Sequence, residues 1–163
     1  MNLVNHQSSL KLLSLEGVSG GYSIHKPVLH DLSFHVNAGE MVALIGLNGA
    51  GKSTTMKHIL GLLKPQKGTI RIAGQTIEEH KRSGRASLAF VPETPLLYDE
   101  LTVLEHLELS ARAYGLHPGT YQKRAASLLE TFNMGPVRDR LSVHLSKGMR
   151  QKVMIMSAFL VEP

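Results

Sequence analysis

The sequence contains no cysteine, which excludes disulfide bonds and thiol-based metal or redox chemistry. Aromatic residues are also scarce, at 5% of the 163 residues, and the lysines and arginines form no continuous run. Both features argue against a nucleic-acid partner, although the net charge is +5. We therefore interpret the positive charge as a solvated basic surface near anionic ligands or lipid headgroups.

Long apolar runs are absent too. The longest strongly apolar stretch, residues 153–161, is interrupted by Ser157 and is too short to span a bilayer. The first ten residues show no cationic cluster followed by an apolar segment, so we expect no secretory leader. A protein of the reducing cytoplasm is the expectation that fits these absences.

Short predicted strands dominate the first half of the chain. The segment 41–45, Met-Val-Ala-Leu-Ile, is apolar throughout, which is typical of a strand buried on both faces of a parallel sheet. Apolar or alternating patterns predict further strands at residues 12–15, 28–36, 69–72 and 87–91. A glycine-rich loop then leads into a helix expected from Lys52 to about Gly61.

Helical patterns dominate the chain after Pro95. Thr102 and Glu105 form a capping-box pattern at the start of the first of these helices. A second helix is predicted from about Thr120, and a third from an N-cap at Ser146 to Leu160. We therefore expect a core over residues 1–93 and a helical lobe over residues 94–163.

The glycine-rich loop carries the strongest chemical signal in the chain. Its residues match the P-loop pattern in full: Gly46, Leu47, Asn48, Gly49, Ala50, Gly51, Lys52, Ser53 and Thr54. The glycines allow the backbone to wrap around a phosphate with its N–H groups turned inward. Lys52 is the expected cation for the β- and γ-phosphates, and the Ser53 hydroxyl is the expected Mg²⁺ contact. The loop alone does not distinguish kinases, GTPases and ATPases.

A second motif follows about a hundred residues later and consists of Leu145, Ser146, Lys147, Gly148 and Met149. It resembles the LSGGQ signature of ABC ATPases. Lys147 stands where that family usually has glycine, and Met149 stands where it usually has glutamine. The resemblance implies that the Ser146 hydroxyl and the Gly148 N–H contact the γ-phosphate held by an opposite subunit, as a helix N-terminus can.

Two further positions resemble the same family. Tyr22 lies upstream of the second predicted strand, where the family has an aromatic ring that stacks on adenine. Glu93 occupies the Q-loop position, which is usually glutamine. A carboxylate there is a second candidate Mg²⁺ contact, but it adds negative charge near the phosphates. The resemblance runs from about residue 10 to the last residue and is strongest for Ecs-type bacterial ABC transporter ATP-binding subunits.

The resemblance implies an α/β fold class. The expected architecture is a P-loop core, with a parallel sheet and an antiparallel β subdomain, followed by an α-helical lobe; together they form an incomplete ABC ATPase domain. ATP and Mg²⁺ are the implied ligands. The implied partners are an integral membrane permease and a second ATP-binding subunit. The implied location is cytoplasmic, peripheral on the inner face of the cell membrane.

The family's Walker B strand, catalytic glutamate and switch histidine do not follow the signature in these 163 residues. Segment 96–100, Leu-Leu-Tyr-Asp-Glu, precedes the signature and is predicted to be a loop. We therefore expect this chain alone to bind ATP weakly and not to hydrolyse it. A truncated, non-catalytic module that docks on a permease or an intact subunit is the alternative. A P-loop kinase is a third hypothesis, against which the signature-like segment argues. The nine histidines suggest no metal site.

Overall fold

The computed structural model describes residues 11–79 and 88–162. The chain divides into two compact units, residues 1–84 and 85–163. The described elements of the first unit are β1 (Lys11–Gly20), β2 (Leu29–Asn37), α1 (Lys52–Ile59), β3 (Lys67–Ile72) and β4 (Gln75–Thr76). Those of the second unit are α2 (Val103–Ala113), α3 (Pro118–Thr131), two 3-10 turns (Gly135–Val137 and Ser142–His144) and α4 (Lys147–Leu160).

The first unit is built on a four-stranded sheet with the order β2-β1-β3-β4, in which every neighbouring pair is antiparallel. Leu15 at the centre of β1 pairs with Phe34 of β2 and Ile70 of β3, and its side chain is buried. Alternation of buried and exposed residues fixes this register, because a slip of one residue would turn the apolar face outward. The predicted strands at 12–15, 28–36 and 69–72 are confirmed, and β1 extends to Gly20.

The predicted buried strand at residues 41–45 is wrong for this structure. The segment is irregular, and the side chains of Met41 and Ile45 are 96% and 92% exposed. A strand of this composition needs parallel neighbours and a layer on each face to bury it. No parallel pairing occurs among residues 11–79 and 88–162. The expected parallel sheet is therefore absent from the described part of the chain, whereas the antiparallel β subdomain is present.

The second unit is helical and has its own apolar core. Residues from all three helices and the turns between them are buried in it: Val103, Leu107, Ala111, Ala125, Leu129, Met134, Leu145, Val153, Met156 and Leu160. Segment 96–100 forms no helix or strand, as predicted. The strand predicted at 87–91 is wrong where it can be judged, because residues 88–91 are irregular; Ser87 lies outside the described residues.

Two of the three helices in this unit start at the predicted caps. The Thr102 side chain accepts from the Glu105 N–H, and the Glu105 carboxylate accepts from the Thr102 N–H at 2.7 Å, which completes the capping box of α2. Ser146 caps α4. The second helix begins slightly earlier than predicted, at Pro118 rather than Thr120, because proline is favourable in a first helical turn. No described helix is long and apolar enough to cross a membrane.

Candidate functional site

The P-loop of the first unit has the backbone geometry of an anion site. Gly49 and Gly51 have φ values of 86° and 90°, which lie in the left-handed region that favours glycine. Gly51 is also the N-cap of α1 and supplies no side-chain cap. The first N–H groups of the helix therefore keep their donor capacity for a ligand. Together with the positive end of the helix dipole, these groups favour a bound phosphate.

Lys52 lies inside this loop. Its ammonium donates to the Gly46 carbonyl at 2.6 Å and to the Leu47 carbonyl at 2.9 Å. These two bonds tether the cation beside the N–H groups of the α1 N-terminus. Ser53 is exposed in the first turn of the same helix, so its hydroxyl can reach a ligand. The loop thus fits a phosphate chain, and the Ser53 hydroxyl fits an Mg²⁺ ion bound to that chain.

Buried threonines anchor the helix that carries these groups. Thr54 and Thr55 are both buried, and the Thr55 hydroxyl donates to the Gly51 carbonyl at 3.0 Å. A Cβ atom on Gly51 would lie 2.8 Å from Cδ2 of the buried Leu29, so the loop end packs directly on β2. The antiparallel sheet therefore contacts the end of the P-loop through Leu29.

Tyr22 belongs to the same unit and follows β1. Its side chain is 62% exposed, which leaves ring surface accessible to a base. The Lys57 ammonium donates to the Tyr22 hydroxyl at 3.2 Å and lies 5.0 Å from the ring centroid. That hydrogen bond, with a further contribution from the Thr54 side chain, lowers the pKa of Tyr22. The predicted base platform and the predicted phosphate site thus both contact α1.

Lys57 did not stand out in the sequence, and neither did His58 or Gln66. In the sequence, Lys57 is typical of a solvated charge on a helix, and His58 is typical of a structural histidine. The only local signal is spacing, since His58 lies four residues after Thr54 and therefore shares its buried helix face. Their partners lie at residues 20–23, which are remote in the sequence, so no local pattern reveals these contacts.

The signature-like motif lies in the helical unit and divides by burial. Leu145 is buried in the core, and Met149 packs against that core. Ser146, Lys147 and Gly148 are exposed between them. The Ser146 hydroxyl accepts from the Met149 N–H at 3.3 Å as the cap of α4. The exposed part of the motif is thus a helix N-terminus with a hydroxyl and an unhindered glycine, which suits contact with a phosphate.

Glu93 is exposed in an irregular segment of the helical unit. Its carboxylate is therefore accessible, and it belongs to a different unit from Ser53. Among residues 11–79 and 88–162, no group of three or more His, Asp or Glu side chains is arranged to hold a metal ion. A cation in the first unit would thus depend on Ser53 and on the phosphates it accompanies.

Comparisons with known proteins identify the family. A model of the family described as ABC transporter matches residues 29–163. The ABC-type transporter ATP-binding protein EcsA of Bacillus subtilis (strain 168) is 51% identical over 154 residues, which are 94% of this chain and 62% of EcsA.

Two solved structures have the same fold. The ATP binding subunit of an ABC transporter is 51% identical, with a TM-score of 0.86 over 93% of this chain and 63% of that one. The cbiO1 protein of Clostridium perfringens, part of the ABC transporter complex cbiONQ, is 25% identical with a TM-score of 0.80. That match covers 94% of this chain and 62% of cbiO1, so the chain spans less than two thirds of these relatives. On the family match and these likenesses, the chain belongs to the ABC transporter family.

Proposed function

We propose that this protein is an ATP-binding subunit of an ABC transporter, which couples ATP binding and hydrolysis to transport through a membrane permease. The observation that carries the proposal is the P-loop geometry: two left-handed glycines, a helix start without a side-chain cap, and a lysine ammonium hydrogen-bonded to the loop carbonyls. Each of these features stabilises negative charge, and together they match a nucleotide's phosphate chain.

Each residue has a distinct role in this proposal. The backbone N–H groups from Gly46 to Thr54 hold the α- and β-phosphates. When the nucleotide binds, the Lys52 ammonium leaves the Gly46 and Leu47 carbonyls and contacts β- and γ-phosphate oxygens instead. The Ser53 hydroxyl holds Mg²⁺. Mg²⁺, when bound, neutralises charge on the phosphates. Tyr22 stacks on the adenine ring.

The signature motif acts on a second nucleotide in this proposal. Two ATP-binding subunits face each other, so that Ser146 and Gly148 of one contact the γ-phosphate held by the P-loop of the other. The exposed helix start of α4 supports this role, because its N–H groups and dipole favour an anion. ATP then bridges the subunits, and hydrolysis releases the bridge.

The helical unit also offers a surface for the permease. A cavity of about 220 Å³ is lined mainly by apolar and aromatic side chains, among them Phe90, Leu96 and Tyr98, with His106, Ser110 and Ser157 as its polar members. Leu96 and Tyr98 are 74% and 64% exposed at this one cavity, and contiguous exposed apolar surface marks interaction sites. We propose that a permease segment docks here, with residues 1–93 acting as the nucleotide-binding domain and residues 94–163 as the coupling lobe. The protein would then work at the cytoplasmic face of the membrane.

Equilibrium dialysis with Mg-ATP tests the nucleotide site. We expect weak binding by the 163-residue chain, loss of that binding in Lys52→Ala, and an unchanged circular dichroism spectrum. Lys67→Ala is the matched control, because Lys67 is exposed in β3 and belongs to no motif. A folded wild-type chain that binds no Mg-ATP, or a Lys52→Ala variant with wild-type affinity, would contradict the proposal.

Phosphate release distinguishes the enzyme from a non-catalytic module. Steady release by the purified chain, abolished by Lys52→Ala, would refute our expectation that these residues alone do not hydrolyse ATP. Nucleotide binding without release, even when the permease is present, would favour the docking module. Mutating Tyr98 to alanine should weaken permease-dependent stimulation more than nucleotide binding, and equal loss of both would count against docking at this cavity.

A further inference from the structure

The turn that carries Tyr22, residues 20–23, is held by the P-loop helix and the segment after it. The Lys57 ammonium contacts the Tyr22 hydroxyl at 3.2 Å. The Gln66 side chain donates to the Ser23 carbonyl at 2.9 Å, and the Gln66 main-chain N–H donates to the Ser19 carbonyl at 2.8 Å. The turn is therefore fastened on both sides of the tyrosine.

His58 adds a third contact beneath the turn. Its ring is fully buried, and its Nδ1 lies 2.8 Å from the Thr54 carbonyl. A Cβ atom on Gly20 would lie 2.6 Å from His58 Nε2, so the imidazole packs against the bare α-carbon of Gly20. Since Lys57 and His58 are consecutive in α1, one turn of this helix supports both Gly20 and Tyr22.

The Lys57 ammonium lies closer to the Tyr22 hydroxyl than to the ring centre, at 3.2 Å against 5.0 Å. It therefore does not sit over the middle of the ring face, where a base would stack. Lys57 also lies five residues after Lys52, which corresponds to about 7.5 Å along the helix axis. The ammonium can therefore fix the ring without occupying the base position, and it is carried by the turn of α1 after the one that carries Lys52.

We propose that Lys57 is a positioning residue for Tyr22: it ties the aromatic platform to the P-loop helix, so that the base site and the phosphate site form one preformed unit. This inference depends on the proposed nucleotide function. Preorganisation of a ring improves binding only for ligands that use the ring. Lys57 should therefore matter for ATP and be irrelevant for a triphosphate without a base.

The test compares Mg-ATP with Mg-tripolyphosphate in wild type, Lys57→Met, Tyr22→Phe and the double variant. Methionine keeps the length of the chain and removes the ammonium, whereas phenylalanine keeps the ring and removes the hydroxyl. We expect Lys57→Met to weaken ATP binding about three- to tenfold and to leave tripolyphosphate binding unchanged. The double variant should bind no more weakly than the weaker single variant, because both changes remove one contact. Lys67→Met, which removes an exposed lysine charge from β3, should have no effect.

Ultraviolet titration of tyrosine ionisation supplies a readout that needs no nucleotide. Tyr22→Phe assigns the Tyr22 component among the four tyrosines. Because the Lys57 hydrogen bond lowers the pKa of Tyr22, Lys57→Met should raise it, and Lys67→Met should not. An unchanged titration in Lys57→Met would overturn the inference, since the contact would then be absent.

The binding data separate this inference from the proposed function. Wild-type protein that binds ATP and tripolyphosphate, with the same ratio of affinities in Lys57→Met, overturns the positioning role alone. Wild-type protein that binds neither ligand overturns the nucleotide site, and the positioning role with it.

Discussion

Replacing Gly68 by alanine should destabilise the β unit much more than the same replacement of Gly74. Both glycines have φ of 80°, so the left-handed conformation penalises alanine equally, by about 1–2 kcal/mol. They differ in what a new methyl group would meet. At Gly74 no described atom lies within 4 Å, whereas at Gly68 the Glu16 oxygen and the Gly17 carbonyl lie at 2.4 Å.

The atoms around Gly68 belong to the main chain of β1 and cannot rotate away. Either β1 or β3 must shift, and overpacking of this kind adds about 1–3 kcal/mol. We therefore expect Gly68→Ala to lower the free energy of unfolding by about 2–5 kcal/mol, and Gly74→Ala by about 1–2 kcal/mol. Pairing of Ser19 with Lys67 lies next to the clash, so the end of β1 nearest Tyr22 should be affected first.

Urea unfolding followed by far-ultraviolet circular dichroism measures the difference, because the chain has no tryptophan to report by fluorescence. The two variants should show similar m-values and well-separated midpoints. Equal destabilisation of both variants would refute the argument, since it would mean that β1 and β3 do not approach closely at Gly68. A larger effect at Gly74 would be a stronger contradiction.

Three further predictions test the chemistry and the helical unit. Lys52→Ala should abolish Mg-ATP binding in equilibrium dialysis while leaving the fold intact, because its ammonium contacts only loop carbonyls among the described residues. The Thr102 N–H holds the pKa of Glu105 below 4.5, so this cap contributes stability above about pH 4.5 that is lost as the pH falls through the folded-state pKa. Glu105→Gln should weaken that pH dependence, which urea midpoints between about pH 3 and pH 7 would reveal. Leu107→Ala should lower the free energy of unfolding by about 2–5 kcal/mol, since the side chain is fully buried, whereas Leu109→Ala, 43% exposed, should change it by about 1 kcal/mol or less; similar losses in urea melts would contradict the core assignment.

Local signals made the helix starts and the P-loop predictable. The capping box of Thr102 and Glu105 and the N-cap at Ser146 depend on residues within one turn of each other, so their side chains find the same partners wherever the helix packs. The glycines of the P-loop likewise indicate a backbone conformation that other residues rarely adopt. The helix starts therefore lie within two residues of their predicted positions.

Collective features were not predictable in the same way. The apolar segment 41–45 has the composition of a central strand, but a strand is defined by its neighbours, and here no described strand pairs with it. The apolar composition shows that the segment would be stable in a buried position, but burial also requires neighbouring strands. The contacts of Lys57, His58 and Gln66 with residues 20–23 were missed for a related reason. They join positions that are far apart in the sequence; Lys57 and Tyr22, for example, are separated by 35 residues.

A chain of polar contacts in the helical unit connects its proposed docking surface to the helix that begins within its signature motif. The Ser142 side chain is fully buried; its hydroxyl donates to the Tyr98 carbonyl at 2.6 Å, and its own N–H donates to the Leu101 carbonyl. Arg150, in the second turn of α4, donates to the Ser142 carbonyl and to the Asp99 carboxylate. A displacement of Tyr98 must therefore either carry Ser142 with it or break the bond between the Ser142 hydroxyl and the Tyr98 carbonyl. Since the Ser142 side chain is buried, breaking that bond would leave its hydroxyl without a partner, which costs free energy. We therefore expect a displacement of Tyr98 to be passed through Ser142 and Arg150 to α4, the helix that Ser146 caps.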